Sequence, residues 1–265
     1  MPACRWYVAC GLVHWSSTLV GTMLSPLATG VCAGAAVAGL AAGAYAYAAM
    51  WPGSQIFGRT LIAPRQPGEL AITFDDGPNE EWTPKLLDLL ARRDVKASFF
   101  LIGEQAQRQP ALVRRIANEG HLIGNHSWSH PNLALTGKNR VEEELRRTSD
   151  ALEQITGRAV RCFRPPFGAR RPVVLRVARE QGLMPVMWNA MTDDWKEPSE
   201  ERIARRLIEK IDRVCGKGFA GNIVLHDGGH REAAANRGPS VGACGRLIEH
   251  YKKTHQFVTL EDWSS

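Results

Sequence analysis

Leu70-Ala71-Ile72-Thr73-Phe74-Asp75-Asp76-Gly77-Pro78 is the stretch from which the fold is read. Its first five residues form an apolar run of strand type, and the Gly-Pro pair ends that run in a turn. Two adjacent carboxylates therefore stand at the end of a strand. Further along, His126-Ser127-Trp128-Ser129-His130 sets two imidazoles four positions apart. One carboxylate and two imidazoles make three ligands for a divalent ion and leave a coordination position open, the pattern of catalytic rather than structural zinc. The second carboxylate is then free to take a proton from water. Neither signal decides alone. Asp before Gly-Pro commonly bonds its own turn, and Ser127 stands where a His-Glu-x-x-His protease carries its Glu.

Three later segments complete the pattern. Arg164-Pro165-Pro166-Phe167-Gly168 follows a short strand-like run and holds an Arg able to orient a carboxylate. Trp188 to Trp195 contains Asp193-Asp194-Trp195, and Ile223-Val224-Leu225-His226-Asp227-Gly228 is an apolar strand ending in His. In this order and at these separations the five segments resemble the polysaccharide deacetylase family, carbohydrate esterase family four, over residues 68–263.

The resemblance implies roles. Asp75 corresponds to the catalytic base; Asp76, His126 and His130 correspond to the metal ligands. Arg164 corresponds to the residue that orients the base. Phe167 stands where a backbone N–H helps hold the oxyanion. Asp194 corresponds to the acid that tunes the catalytic histidine, and Trp195 to an aromatic wall of the groove. Leu225 corresponds to the floor of the acetyl pocket and His226 to the general acid. The expected cofactor is one divalent ion, zinc by default, with cobalt or nickel also suited to these donors. The expected substrate is an N-acetylated glycan: peptidoglycan, a chitin-like oligomer or an exopolysaccharide. One departure is that Met191 occupies a position where the family often carries Asp, with Asp193 an extra acid nearby.

The chemistry is consistent without the family name. An unactivated acetamide is a poor electrophile and neutral water a poor nucleophile. A bound zinc ion polarises the carbonyl and brings the pKa of its water to roughly 7. A carboxylate base and an imidazole acid complete the set, because the departing amine must be protonated.

Apolar strand-like runs recur at 70–74, 97–102, 121–124, 160–163, 184–188, 223–226 and 257–260. Between them, 84–93, 105–119, 140–156, 171–181, 199–214 and 242–253 carry apolar residues at helical spacing. This alternation predicts parallel strands covered by helices. The candidate residues fall at the C-terminal ends of the strands, where a β/α barrel keeps its chemistry. Seven strands rather than eight predict a distorted, incomplete barrel.

Residues 6–57 contain no Asp, Glu, Lys or Arg, and 27–50 are uninterrupted small and apolar residues. The expectation is a membrane anchor or signal helix over residues 1–50, a linker over 51–67 and a catalytic domain over 68–265. With an anchor, the catalytic domain faces the extracytoplasmic side; with cleavage it is secreted. The net charge of +6 comes from Arg scattered in pairs, without the basic stripe and interleaved aromatics of a nucleic-acid binder. No protein partner is expected. Cys162, Cys215 and Cys244 show no metal spacing and are expected as single thiols. Two other readings stay open: a catalytically silent glycan-binding module, and an Fe(II) enzyme using the same His, His and carboxylate donors.

Overall fold

The computed structural model describes residues 26–263. The chain divides into two units, Met1–Gly43 and Ala44–Ser265. Helix α1 (Pro26–Met50) leads into strand β1 (Glu69–Gly77). There follow α2 (Trp82–Arg92), β2 (Ser98–Leu101), α3 (Gly103–Arg108), α4 (Pro110–Asn118), β3 (Leu122–Asn125) and α5 (Lys138–Thr156). Next come β4 (Cys162–Phe163), α6 (Pro172–Glu180), β5 (Met184–Pro185), β6 (Ala190–Met191) and α7 (Glu200–Cys215). The chain closes with β7 (Gly221–His226), α8 (Gly238–Tyr251) and β8 (Gln256–Val258).

All strand pairs are parallel, in the order β5-β4-β3-β2-β1-β7-β6, with β8 pairing beside the start of β1. The two outermost strands of that order, β5 and β6, are separated in the chain only by residues 186–189. Seven strands laid flat at a spacing of about 4.8 Å would hold their outer members about 29 Å apart. The chain from Pro185 to Ala190 reaches at most about 18 Å. The sheet must therefore curl, and an incomplete barrel results, as the strand-helix rhythm predicts. Side chains close the seam where ladder bonds are missing. Asn222 Nδ2 donates to Ile62 O and Met187 O at 2.8 and 2.9 Å, and Asn189 Nδ2 donates to Ala220 O at 2.8 Å.

Period-two alternation sorts β1 into two faces. Leu70, Ile72 and Phe74 pack with Leu86, Leu87 and Leu90 of α2 in the main core, and Ala71 packs with Phe100, Cys162 and Val186 in a second cluster. Ala71, Thr73 and Asp75 thus share the inner face. In β7 the same rule sends Ile223 and Leu225 to the main core, while Val224 joins Met187 and Trp188.

The helix expected over 105–119 is two helices. Pro110 starts α4 because it lacks an N–H and cannot continue α3, and Gln109 between them has non-helical dihedrals. Strand β6 is an addition to the expected set; two residues are too short for an alternation pattern. Cys162, Cys215 and Cys244 are free thiols.

The expected membrane anchor or signal helix is corrected. Among the described residues no helix is long and apolar enough to cross a membrane. The charge-free stretch does form α1, but that helix is mostly Ala and Gly, which carry little apolar surface. Its last turn belongs to the second unit: Ala48 and Ala49 are buried, and Ala49 O accepts a bond from Arg170 N at 3.0 Å. The buried Arg170 guanidinium also donates to Trp51 O and Ser54 O. The membrane partner and the membrane-anchored extracytoplasmic placement rested on that span and fall with it. The poorer apolar stretch over 6–23 lies outside the described residues.

Replacing Asn222 by Leu should orphan the Ile62 carbonyl at the seam and leave Met187 O only its long bond from Arg164. The expected loss is about 1–3 kcal/mol for a carbonyl left unpaired, read as a lower urea midpoint than wild type. An unchanged midpoint would show that the seam does not depend on this side chain.

Candidate active site

Asp75 and Asp76 are consecutive, and in a regular strand their side chains would point to opposite faces. Asp76 has φ of +67°, in the left-handed region, and the register with β2 shifts between Asp75 and Gly77. This bulge turns both carboxylates into one pocket, whose lining includes Asp75, Asp76, His126, His130 and His226. Two glycines make the turn possible. A Cβ on Gly77 would lie 2.5 Å from Asp227 Oδ1, and one on Gly228 would lie 2.0 Å from Asp76 O.

His126 to His130 follow β3 directly. Ser127 and His130 also have positive φ, 64° and 55°. Their loop is held by Glu144 of α5, which is 2% exposed. Its Oε2 accepts from Trp128 N and Ser129 N at 2.9 and 2.8 Å, and its Oε1 accepts from Ser129 Oγ at 2.8 Å. Asn125 Oδ1 accepts from Ser127 N at 2.8 Å. His126 Nδ1 lies 2.8 Å from Arg164 O. That carbonyl requires a donor, so Nδ1 carries the proton and Nε2 presents a lone pair.

His126 Nε2 and His130 Nε2 lie 3.3 and 3.1 Å from Asp76 Oδ1. Asp76 Oδ1 is buried and has no hydrogen-bond partner. Lone pairs converging on an unpartnered carboxylate oxygen suit a cation between them. The separations also match the edge of about 3.3 Å of a tetrahedron with bonds of about 2.0 Å, as zinc makes to N and O. These residues fit a divalent ion. Burial works to raise the Asp76 pKa, but the surrounding imidazoles of His126, His130 and His230 outweigh it and hold the carboxyl well below its usual range. Burial lowers the pKa of His130 and favours the neutral ring a metal needs.

Beside this cluster, Arg164 is fully buried and donates from Nη1 to Asp75 Oδ1 at 2.7 Å and to Thr73 Oγ1 at 2.6 Å. Its guanidinium stacks over Phe100, 4.1 Å from the ring centroid. Burial pulls the Arg164 pKa down, and Asp75 opposes that pull. On the other side, His226 Nδ1 lies 2.9 Å from Asp194 Oδ1. Asp194 Oδ2 accepts from His226 N and Ser240 Oγ at 2.8 and 2.7 Å. Burial disfavours the imidazolium, but Asp194, then Asp76 and Asp75, push the His226 pKa up to about 9. Asp75 and His226 are register partners across β1 and β7, so their side chains are lateral neighbours on one face.

Phe167, Trp188, Met191 and Trp195 also line the pocket. Trp195 meets the His226 ring at 5.0 Å and 73°, and Phe167 meets His130 at 4.6 Å and 74°. Neither Leu225 nor Val224 is in the lining; Leu225 is fully buried on the face of β7 opposite His226, and Val224 shares the face of His226. Glu144 and Ser240 escaped the sequence reading, because neither carries a motif. His230, just past Gly228-Gly229, reads from the sequence as a loop residue rather than a ligand. His230 lies with Nδ1 3.4 Å from Asp76 Oδ2, and its donor atom forms a cluster with those of Asp76 and His130 within 4.8 Å. The glycine pair before it was the available signal.

A family model described as polysaccharide deacetylase matches residues 63–186. A peptidoglycan-N-acetylglucosamine deacetylase of Bacillus cereus is 41% identical over 201 residues, covering 74% of this chain and 68% of the relative. A chitooligosaccharide deacetylase of Sinorhizobium fredii is 36% identical over 184 residues, covering 67% and 82%. The crystal structure of a peptidoglycan N-acetylglucosamine deacetylase bound to an N-hydroxybenzamide gives a TM-score of 0.69 at 38% identity, covering 77% of this chain and 91% of that one.

Glu144→Ala should release the His126–His130 loop at a cost of about 1.5–3 kcal/mol, the range for a hydrogen bond to a charged group. Glu144→Gln, which keeps one carbonyl acceptor, should lose less. Chemical denaturation of the three proteins checks the order; equal stabilities would remove Glu144 from the support of the site.

Proposed function

Because this chain belongs to the polysaccharide deacetylase family, a group of metal-dependent hydrolases of amino-sugar acetamides, we propose the following division of labour in its pocket. Asp76, His126 and His130 hold one divalent ion, zinc by default. When bound, that ion supplies Lewis acidity toward the acetamide carbonyl and makes water more acidic. Asp75 accepts the proton of the attacking water. Arg164 fixes the Asp75 carboxylate through Oδ1 and leaves Oδ2 to receive that proton. His226 gives a proton to the sugar nitrogen as the C–N bond breaks, so acetate and a free amine leave. Asp194, itself braced by Ser240, keeps His226 protonated and aimed. The Phe167 backbone N–H faces the developing oxyanion, and Trp188 and Trp195 wall the groove. Val224 rather than Leu225 forms the floor for the acetyl methyl.

The observation that carries this reading is the pairing of Asp75 with His226 across one ladder, beside the Asp76–His126–His130 cluster. An Fe(II) enzyme has no use for an arginine-held base and an aspartate-held acid. A silent binding module has no reason to keep both protonation partners. The substrate class proposed is a polymer containing N-acetylglucosamine, with peptidoglycan first, because the relative at 41% identity acts on it. Acetate release from peptidoglycan and from chitooligosaccharides, with and without a chelator, is the experiment. No acetate from either would overturn the reading.

Asp75→Asn should keep wild-type metal content and lose about 10²–10⁴-fold in kcat, the range for a general base. His126→Ala should lose the metal by elemental analysis while the circular dichroism stays native. Near-wild-type turnover of Asp75→Asn, or retained metal in His126→Ala, would reassign the roles.

The acid must be protonated to act, and Asp194 raises its pKa. Asp194→Asn should therefore shift the alkaline limb of the kcat profile to lower pH by about one unit or more. A limb that stays in place would mean that another group donates the proton.

A further inference from the structure

We infer that His230 is a fourth, displaceable imidazole ligand of the metal. The inference rests on the reading that Asp76, His126 and His130 hold the ion. The His230 ring is parallel to that of His130, with centroids 4.4 Å apart at 20°, and its Nδ1 faces Asp76 Oδ2 at 3.4 Å. Its donor atom lies within 4.8 Å of those of Asp76 and His130, so a small rotation brings it to the same ion.

The segment that carries His230 is built into place. Gly228 packs directly on the Asp76 backbone, where a Cβ would lie 2.0 Å from Asp76 O. The Gly228 carbonyl accepts a bond from Arg237 Nε at 2.6 Å, and the Gly229 carbonyl accepts from Gln105 Nε2 at 3.1 Å. Arg237 and Gln105 are 9% and 6% exposed. Two buried side chains therefore fix the backbone immediately before His230, while the ring itself keeps 29% exposure and room to turn outward.

Four protein ligands close a tetrahedral zinc site, and catalysis needs a position open to substrate. A backbone that is held and a ring that can swing reconcile the two demands. His230 completes the coordination in the resting enzyme, which favours retention of the metal, and yields its position when an acetamide oxygen arrives. The other three ligands are 2–7% exposed and have no comparable freedom.

X-ray absorption at the zinc edge counts imidazoles directly. The expected count is three in the wild type and two in both His230→Ala and His230→Asn. Competition with a chromophoric chelator should show zinc bound about tenfold or more weakly in both variants, at the least the loss seen when a metal site's supporting residues are removed. Saturating acetohydroxamate, as a stand-in for the acetamide, should lower the wild-type count from three to two. A count of two in the free wild type overturns the ligation. A count that remains three with acetohydroxamate bound overturns the displacement. Failure of the underlying reading has a separate signature, zinc retained in His126→Ala.

Discussion

The site depends on one backbone conformation, the left-handed turn at Asp76. In a regular strand Asp76 would face the main core beside Phe74, where an unpaired carboxylate would be very costly. With φ of +67° the chain advances one residue without changing face, and Asp75 and Asp76 reach the same pocket with different partners. Holding a non-glycine residue there costs of order 1–3 kcal/mol. The glycines on either side of the contact, Gly77 and Gly228, let β1 and β7 approach closely enough to brace it. From that turn follow the different partners of Asp75 and Asp76 and the meeting of Asp76 with His126 and His130.

The pocket then gives each of its ionisable groups its own partner. Asp75 is tied to a buried guanidinium, and His226 is tied to a carboxylate and pushed up to about 9. A third carboxyl, Asp227, sits fully buried behind Gly77; burial raises it to about 7 although it is bonded to Thr83. Asp75 and His226 are adjacent on neighbouring strands, yet each has its own direct partner. The direct contacts of each, Arg164 and Asp194, come from other strand ends of the barrel. A curled parallel sheet makes this possible because it points the ends of many strands at one place.

Much of this was legible in the chain. The apolar run before Asp75 and the alternation after it give the barrel, and the five segments supply Asp75, Asp76, His126, His130 and His226, which line one pocket. What was not legible has physical reasons. Glu144 reads as a surface partner of Arg140 four residues back, and its burial depends on a loop from elsewhere in the chain. His230 needed the close approach of Gly228 to Asp76, a contact 152 residues apart in sequence. Leu225 and Val224 take opposite faces of β7, which shows only once the strand is paired. The charge-free N-terminal stretch matched a membrane span by the absence of charge. Its small side chains and the packing of its last turn against Arg170 are what that criterion misses.

The central claim is that adjacent carboxylates are divided, one to the metal and one to the proton. Anomalous diffraction from crystals grown with zinc tests this directly. The account predicts one strong peak bonded to a carboxylate oxygen of Asp76 and to Nε2 of His126 and His130. Asp75 should stay on Arg164, outside bonding distance of the metal. A peak bonded to Asp75, or no peak within the pocket, would contradict it.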